Sequence, residues 1–139
     1  MTSTASTRAV IDTNVLFEGL TKQGGASGLI IDAWRVGLFH PCVSTALAYE
    51  YADVLERKLS PLRWNQLRPV LGSLLLQAKP ITIYYTWHPS SPDPGDEFLI
   101  DCAMNANAPV VTYNVRDLRS ARQALGLSVL SPAEFVALI

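Results

Sequence analysis

Arg8-Ala9-Val10-Ile11-Asp12-Thr13-Asn14 is the stretch of sequence that decides the fold predicted for this chain. Its short apolar run, residues 9–11, ends abruptly in an acid, a hydroxyl and an amide. Such a run, bounded by turn-forming residues, is typical of a fully buried strand in a parallel sheet. Ligands of open α/β sheets bind outside the carboxyl ends of the strands, which makes Asp12 a candidate for chemistry. On this stretch alone, Asp12 acting merely as the cap of a following helix is an equal alternative.

The composition is that of a compact, single domain over residues 1–139. The chain is 49% hydrophobic and 17% charged, and it is long enough to bury a sizeable core. Residues 1–7 are rich in Ser, Thr and Ala and are predicted to fray. The net charge of −1 gives no basic excess, so nucleic-acid binding would need a local basic patch or a metal ion. Cys42 and Cys102 lack partner spacing and predict buried thiols of a reducing, cytoplasmic compartment.

Strands alternate with helices along the rest of the chain. Further strands are predicted over 39–43, 81–85, 109–112 and 127–130, and helices over 15–20, 27–37, 45–59, 61–78, 116–125 and onward from 94 and 132. Pro69 is expected to kink or split its helix, and residues 87–94, with three prolines, predict a loop. The alternation predicts a three-layer α/β domain with a central parallel sheet of four to five strands and helices on both faces.

Acidic and amide side chains gather where the predicted strands end. They are Asp12, Glu50, Asp96, and Asn114 or Asp117. Carboxylates crowded together would partly protonate unless a cation joined them. Mg²⁺ or Mn²⁺ prefers oxygen ligands, polarises a phosphoryl oxygen and lowers the pKa of bound water. The pattern therefore predicts a site for one of these ions.

Helical spacing separates the acids that face inward from those that face solvent. Glu50 lies on the border of an apolar stripe, although a solvated helix charge with its stem on that stripe is an open alternative. Asp96 lies at the edge of the buried side, although Asp93 as N-cap and Asp96 as N3 would also satisfy a helix terminus. Glu97 and Asp101 lie opposite and are predicted to be ordinary solvated charges.

The motifs together resemble those of the PIN-domain family, and more narrowly its VapC-like toxins of bacterial and archaeal toxin–antitoxin pairs. The resemblance covers essentially the whole chain. It rests on Ile11-Asp12-Thr13-Asn14, Ala48-Tyr49-Glu50-Tyr51, Asp96 seven residues before Ala103, and Val111-Thr112-Tyr113-Asn114-Val115-Arg116-Asp117-Leu118. It implies a metal-dependent ribonuclease with a central parallel sheet, held inactive by an antitoxin protein.

Residue by residue, the resemblance implies that Asp12, Glu50 and Asp96 are the three family acids, which bind metal and take part in catalysis. The fourth position is either Asn114, as a metal ligand, or Asp117, as a catalytic acid. We expect Asn14 and Thr112 to support the site, with Thr112 hydrogen-bonded to Asp12 or to a water.

Other enzyme classes fit the sequence less well. A hydrolase with an aspartyl nucleophile would need a second Asp at position 14, which is Asn. Gly24, Gly25 and Gly28 lack the spacing of a phosphate-binding loop, and His40 and His88 form no zinc pattern. The remaining alternative is a catalytically degenerate PIN-fold protein that acts as a nucleic-acid or protein binding module.

Substrate and partner contacts are also predicted. Arg116, Arg119 and Arg122 recur every three residues beyond the acidic positions and would suit the phosphates of an RNA substrate, although solvated helix charges look the same in sequence. Helical segments, notably residues 62–75, carry more apolar side chains than one small sheet needs to cover it, which indicates an interface. The resemblance suggests two interfaces, one with a second copy in a homodimer and one with the antitoxin.

Overall fold

The structure is a computed structural model that describes residues 7–86 and 94–139. Its strands are β1 (Arg8–Ile11), β2 (His40–Ser44), β3 (Lys79–Ile81), β4 (Val110–Val111) and β5 (Val129–Leu130). Its helices are α1 (Thr13–Thr21), α2 (Gly25–Val36), α3 (Thr45–Lys58), α4 (Pro61–Gln77), α5 (Pro94–Ala106), α6 (Arg119–Leu125) and α7 (Pro132–Leu138), and a 3₁₀ turn spans Val115–Leu118.

All five strands pair in parallel, in the order β3-β2-β1-β4-β5. The connections from β1 to β2 and from β2 to β3 move along the sheet in one direction. Those from β3 to β4 and from β4 to β5 move in the other. Because crossovers between parallel strands are right-handed, helices α1–α4 cover one face and α5 and α6 the other. The predicted three-layer α/β fold with a parallel sheet is confirmed.

The strand β1 is the centre of the core. Ala9, Val10 and Ile11 are almost completely buried, as expected for a strand covered on both faces. On one side of the sheet, the indole N–H of Trp34 in α2 donates to the Leu74 carbonyl of α4 at 2.9 Å. The Trp34 ring also packs edge-to-face on Phe39, with centroids 6.3 Å apart. These contacts fix the helices that follow β1 and β2.

Capping side chains mark the starts of two helices. The Ser44 hydroxyl accepts a hydrogen bond from the Leu47 N–H at the start of α3. Ser131 and Glu134 form a capping box at the start of α7. The hydrogen bonds to Ser131 lower the pKa of the Glu134 carboxyl, so the capping box keeps its charge to a lower pH than a free glutamate would.

The strand β3 differs from its prediction because its neighbour ends early. Ser44, the last residue of β2, pairs with Ile81 and then begins α3, so residues beyond Ile81 have no strand to join. The N–H groups of Tyr84 and Tyr85 donate instead to the side-chain oxygen of Asn105 on α5. The predicted strand over 81–85 is therefore wrong, and the true strand begins at Lys79.

Pro69 does not split the helix that contains it. The helix α4 runs unbroken from Pro61 to Gln77, with Pro69 exposed on its outer side. Pro69 has no N–H for the carbonyl of Asn65, another exposed residue, and water can take that place.

Some predictions fall outside the described residues. They concern the fraying of the first residues, the loop over 87–94 except for Pro94, and Asp93 as an N-cap. Within the part of the chain that the structure describes, no helix has the length and apolar character needed to cross a membrane.

The helices α1 and α2 approach each other closely at Gly19. A Cβ at that position would lie 2.6 Å from the Ser27 carbonyl oxygen and would also clash with Ile31. Because any side chain would collide with backbone, only glycine allows this approach. The contact fixes the first turn of α2 beside α1.

Candidate active site

The carboxyl ends of β1 and β4 define the candidate site. These two neighbouring strands lie where the strand order reverses, which is the ligand-binding position of open α/β sheets. Asp12 directly follows β1 and Thr112 directly follows β4. The Asp12 N–H donates to the Val111 carbonyl at 2.9 Å, so the two strand ends are joined by backbone as well.

The Thr112 side chain holds the Asp12 carboxylate in place. Its hydroxyl donates to Asp12 Oδ2 at 2.6 Å, and its oxygen accepts from the Asn114 N–H at 2.9 Å. Because the Asn114 N–H can only donate, the single hydroxyl proton of Thr112 is left to point at Asp12. Thr112 is fully buried and Asp12 is 9% exposed, so water competes little for this bond. The expected hydrogen bond between Thr112 and Asp12 is confirmed.

Asp12 is not a side-chain cap. It occupies the N-cap position of α1, but its side chain makes no capping hydrogen bond to that helix. Its backbone carbonyl accepts from the Val15 and Leu16 N–H groups, as any N-cap residue would. Its carboxylate accepts instead from Thr112 at the end of β4, and the start of α1 favours its negative charge.

Tyr51 fixes α3, and with it Glu50, against the end of β1. The Tyr51 hydroxyl donates to the carbonyl oxygen of Ile11, the residue before Asp12. Burial, with smaller contributions from Cys102 and Asp12, raises the pKa of Tyr51 well above its ordinary value, so the phenol keeps the proton that it donates. Glu50, the preceding residue, is half-buried.

Asp96 lies near the same edge of the sheet, as the packing of α5 shows. The Cys102 thiol contacts the Cys42 carbonyl at 3.6 Å, so the middle of α5 lies level with the middle of β2. A crossover helix runs antiparallel to its strands. Asp96, six residues earlier, is therefore about 9 Å nearer the carboxyl edge, while Ser44 at the end of β2 is about 7 Å nearer. Asp96 is half-buried at this edge.

Comparison with known proteins identifies the family of this chain. The sequence profile of the PIN domain matches residues 8–116, which is most of the chain and includes Asp12, Glu50, Asp96, Thr112 and Asn114 but not Asp117. The chain belongs to the PIN-domain family. This confirms the resemblance seen in the motifs, and it makes the protein a member of a family of nucleases.

Solved structures with a similar fold include three protein complexes. VapBC2 from Rickettsia felis, bound to a DNA fragment from its promoter, has a TM-score of 0.67 and 13% identity over 89% of this chain and 98% of that chain. FitAcB from Neisseria gonorrhoeae has a TM-score of 0.61 and 17% identity, over 90% and 98%. VapBC-1 from nontypeable Haemophilus influenzae has 0.60 and 14%, over 91% and 98%. No curated protein matches the sequence.

Two other acids of this PIN domain are buried, contrary to prediction. Glu97 is 6% exposed and Asp101 is 5% exposed, although helical spacing predicted both to be solvated. Asn105 lies on the same face of α5, one turn after Asp101 and two turns after Glu97. Its side chain hydrogen-bonds the backbone of Tyr84 and Tyr85. The segment after β3 therefore packs on this face of α5 at Asn105, and the face is buried at Glu97 and Asp101 as well.

The remaining predicted residues lie around the rim. Asn14, Asn114, Arg116 and Asp117 are exposed, and the Asp117 N–H donates to the Asn114 carbonyl at 3.1 Å in the 3₁₀ turn. The position of the Arg119 side chain is outside the described structure. Phosphate contacts by these arginines, and the choice between Asn114 and Asp117, stay predictions.

The donor atoms of the site suit a hard divalent cation, of the kind that PIN-domain nucleases generally use. Asp12, Thr112, Glu50 and Asp96 offer oxygen atoms, which Mg²⁺ and Mn²⁺ prefer. Within residues 7–86 and 94–139, no group of three or more His, Cys, Asp and Glu side chains is placed to hold a metal ion. A joint metal site of Asp12, Glu50 and Asp96 therefore stays a prediction.

Two long-range hydrogen bonds of the site were not foreseen. One joins Tyr51 to Ile11, and the other joins the hydroxyls of Ser27 in α2 and Tyr113 after β4. From the sequence, Tyr51 was named only within the motif Ala48-Tyr49-Glu50-Tyr51 and was assigned no role. Nothing in the local pattern around Ser27 and Tyr113 indicates that the two side chains meet.

Proposed function

We propose that this PIN-domain protein is a Mg²⁺- or Mn²⁺-dependent endoribonuclease that hydrolyses RNA phosphodiesters, and that it is the toxin of a toxin–antitoxin pair. The observation that carries the proposal is the Asp12 carboxylate, held by Thr112 at the point where the strand order reverses. Membership of a nuclease family supports the same reaction class.

The proposed roles are those that the resemblance to PIN-domain nucleases implies. Asp12 and Asp96 would be the principal metal ligands, and Glu50 would ligate directly or through water and orient the nucleophile. Asn114 and Asp117 would complete the arrangement from the 3₁₀ turn. The bound ion would supply an activated water and stabilise the charge on the phosphate oxygens.

The protein's own part is to hold Asp12 in place. The Thr112 hydroxyl donates to Asp12 Oδ2, which fixes one oxygen of the carboxyl group. The neutral Tyr51 phenol binds the carbonyl of Ile11 and so fixes the end of β1 from which Asp12 extends.

RNA cleavage by the purified chain, with Mg²⁺ and with a chelator, tests this function. We expect cleavage with Mg²⁺ or Mn²⁺, loss of cleavage after chelation, and recovery when the ion is restored, because in the proposed mechanism the ion lowers the pKa of the attacking water. Gel analysis of a labelled RNA measures the products. Cleavage that persists in chelator would contradict metal dependence. RNA binding without any cleavage would instead support the degenerate binding module.

An antitoxin partner is supported by the solved structures that share this fold. The similar structures from Rickettsia felis and Haemophilus influenzae are VapBC complexes. In this chain, α1, α2 and α4 line a cleft of about 610 Å³ that includes Leu29, Leu67 and Arg63. We propose that an antitoxin segment binds there and places a basic side chain among the site acids. The cognate antitoxin should then end RNA cleavage on titration, and unchanged cleavage in a stable complex would exclude this arrangement.

The homodimer is supported by apolar side chains on the outer helices. Leu62 and Leu76 of α4 and Val36 of α2 are each more than two-thirds exposed, and exposed apolar surface of this kind marks interfaces. Light scattering at several concentrations would measure the mass, and a monomer throughout would contradict the dimer.

Both cysteines are free and buried, which supports the proposed cytoplasmic location.

A further inference from the structure

Tyr113 combines an exposed ring with an anchored hydroxyl. Its side chain is 46% exposed, whereas its hydrogen-bond partner, Ser27, is only 2% exposed. The bond joins the segment after β4 to the first turn of α2. The ring is thus fixed at its tip while much of its surface stays open to solvent.

The backbone of Tyr113 is fixed as well. Thr112 on one side donates to Asp12, and Asn114 on the other side donates its N–H to the Thr112 hydroxyl. Tyr113 lies between the two partners of this bond, one residue from the group that holds Asp12. Its ring is therefore held at the rim beside the candidate site before any ligand arrives.

The anchor depends on the close approach of α1 and α2. Gly19 allows α1 to lie against the Ser27 carbonyl, which sets the first turn of α2 near the carboxyl edge of the sheet. From there the Ser27 hydroxyl reaches Tyr113. A residue that merely filled space in the core would need neither an exposed ring nor a buried hydroxyl partner.

We propose that Tyr113 is a substrate-binding residue on which one base of a single-stranded RNA stacks next to the phosphate that is cleaved, and that Ser27 positions it. The inference rests on the proposed ribonuclease function. Bases of single strands are free to stack on aromatic side chains, whereas those of an RNA duplex are not.

Charge and entropy favour this use of the ring. The net charge of −1 gives the protein little general attraction for phosphates, so part of the affinity for RNA must come from elsewhere. A ring that is already fixed in place loses little conformational entropy when a base stacks on it. An anchored tyrosine therefore supplies affinity that the charges do not.

The test is the kinetics of Tyr113→Leu on a labelled single-stranded oligoribonucleotide with Mg²⁺. Because stacking on an aromatic side chain contributes about 1–3 kcal/mol per base, we expect KM to rise about 5- to 150-fold, with a smaller change in kcat. Tyr113→Phe keeps the ring and should restore most of the affinity. Ser27→Ala should raise KM less than Tyr113→Leu, since the ring remains but is no longer anchored.

A matched control is Tyr84→Leu. Tyr84 is 78% exposed but follows β3, three strand spacings or about 14 Å from β4, so its loss should leave KM unchanged. Melting by circular dichroism checks that each variant is folded. Should Tyr113→Leu unfold, Tyr113→Gln, which also lacks the ring but is polar at this exposed position, takes its place.

The outcomes separate this inference from the proposed function. Cleavage by the unmodified chain with an unchanged KM in Tyr113→Leu would overturn the stacking role alone, as would an equal loss in Tyr84→Leu. RNA binding without cleavage would remove the nuclease function, and the same variants would then be compared by fluorescence anisotropy. A chain that binds no RNA would overturn both.

Discussion

Replacing Asp12 by asparagine is expected to reduce RNA cleavage more than about 100-fold. Loss of a residue that merely supports a metal ligand costs about 10- to 100-fold, and Asp12 is proposed as a ligand itself. The amide oxygen of Asn can still accept the Thr112 hydroxyl, so the change removes charge and leaves the shape of the site. Initial rates on a labelled RNA with Mg²⁺ measure the effect, and melting by circular dichroism should move little.

Asp53→Asn is the control for this variant. Asp53 lies on the outer face of α3, with its side chain 62% exposed and paired to Arg57. Exposed pairs of this kind contribute at most about 1 kcal/mol, so this variant should cleave RNA at the normal rate. Full activity of Asp12→Asn would show that Asp12 has no essential role, and the proposed site would then be wrong.

Local sequence patterns were sufficient to predict the central strand, the starts of two helices and the parallel sheet. The run before Asp12 is the buried central strand β1, because continuous apolar residues in a short stretch suit a strand covered on both faces. Ser44 and Ser131 cap the helices that were predicted to begin directly after them, since capping depends on neighbours a few residues away. Parallel pairing then brings the end of β1 beside the end of β4.

Features that depend on packing against distant parts of the chain could not be predicted from local sequence patterns. Residues 81–85 have strand-forming side chains, but β2 ends at Ser44 and leaves most of them without a partner. Glu97 and Asp101 have the spacing of a solvent face, but that face is buried, and the segment after β3 packs on it at Asn105. Both errors have one cause: the pattern of a helix or strand does not reveal how many neighbours will pack on it.

The sequence predicted the residues of the candidate site and one hydrogen bond between them, but not the hydrogen bonds that reach the site from distant parts of the chain. The position of Asp12 follows from its place after a buried strand, and the hydrogen bond with Thr112 was expected. The bonds from Tyr51 to Ile11 and between Ser27 and Tyr113 join residues 40 and 86 positions apart. Hydrogen bonds over such separations depend on the assembled fold, so periodicity and spacing carry no sign of them.

Removing the Thr112 hydroxyl tests whether that support matters for chemistry. Thr112→Val keeps the volume of the side chain but leaves Asp12 without this donor and the Asn114 N–H without this acceptor. We expect RNA cleavage to fall about 10- to 100-fold, the usual cost of losing a partner that orients a metal ligand. Stability should fall by about 1–3 kcal/mol, because the site is buried and the abandoned groups are poorly hydrated. Initial rates and urea unfolding measure the two effects.

Thr112→Ser distinguishes orientation from simple packing. Serine retains the hydroxyl but loses a methyl group in a fully buried position, so the protein should lose about 1 kcal/mol of stability. Its cleavage rate, however, should stay within a few-fold of the unmodified chain, because the hydroxyl can still donate to Asp12 and accept from Asn114. If serine and valine lowered the rate equally, the contribution of Thr112 would be packing. If valine cleaved at the normal rate, Asp12 would not depend on the orientation that Thr112 gives it.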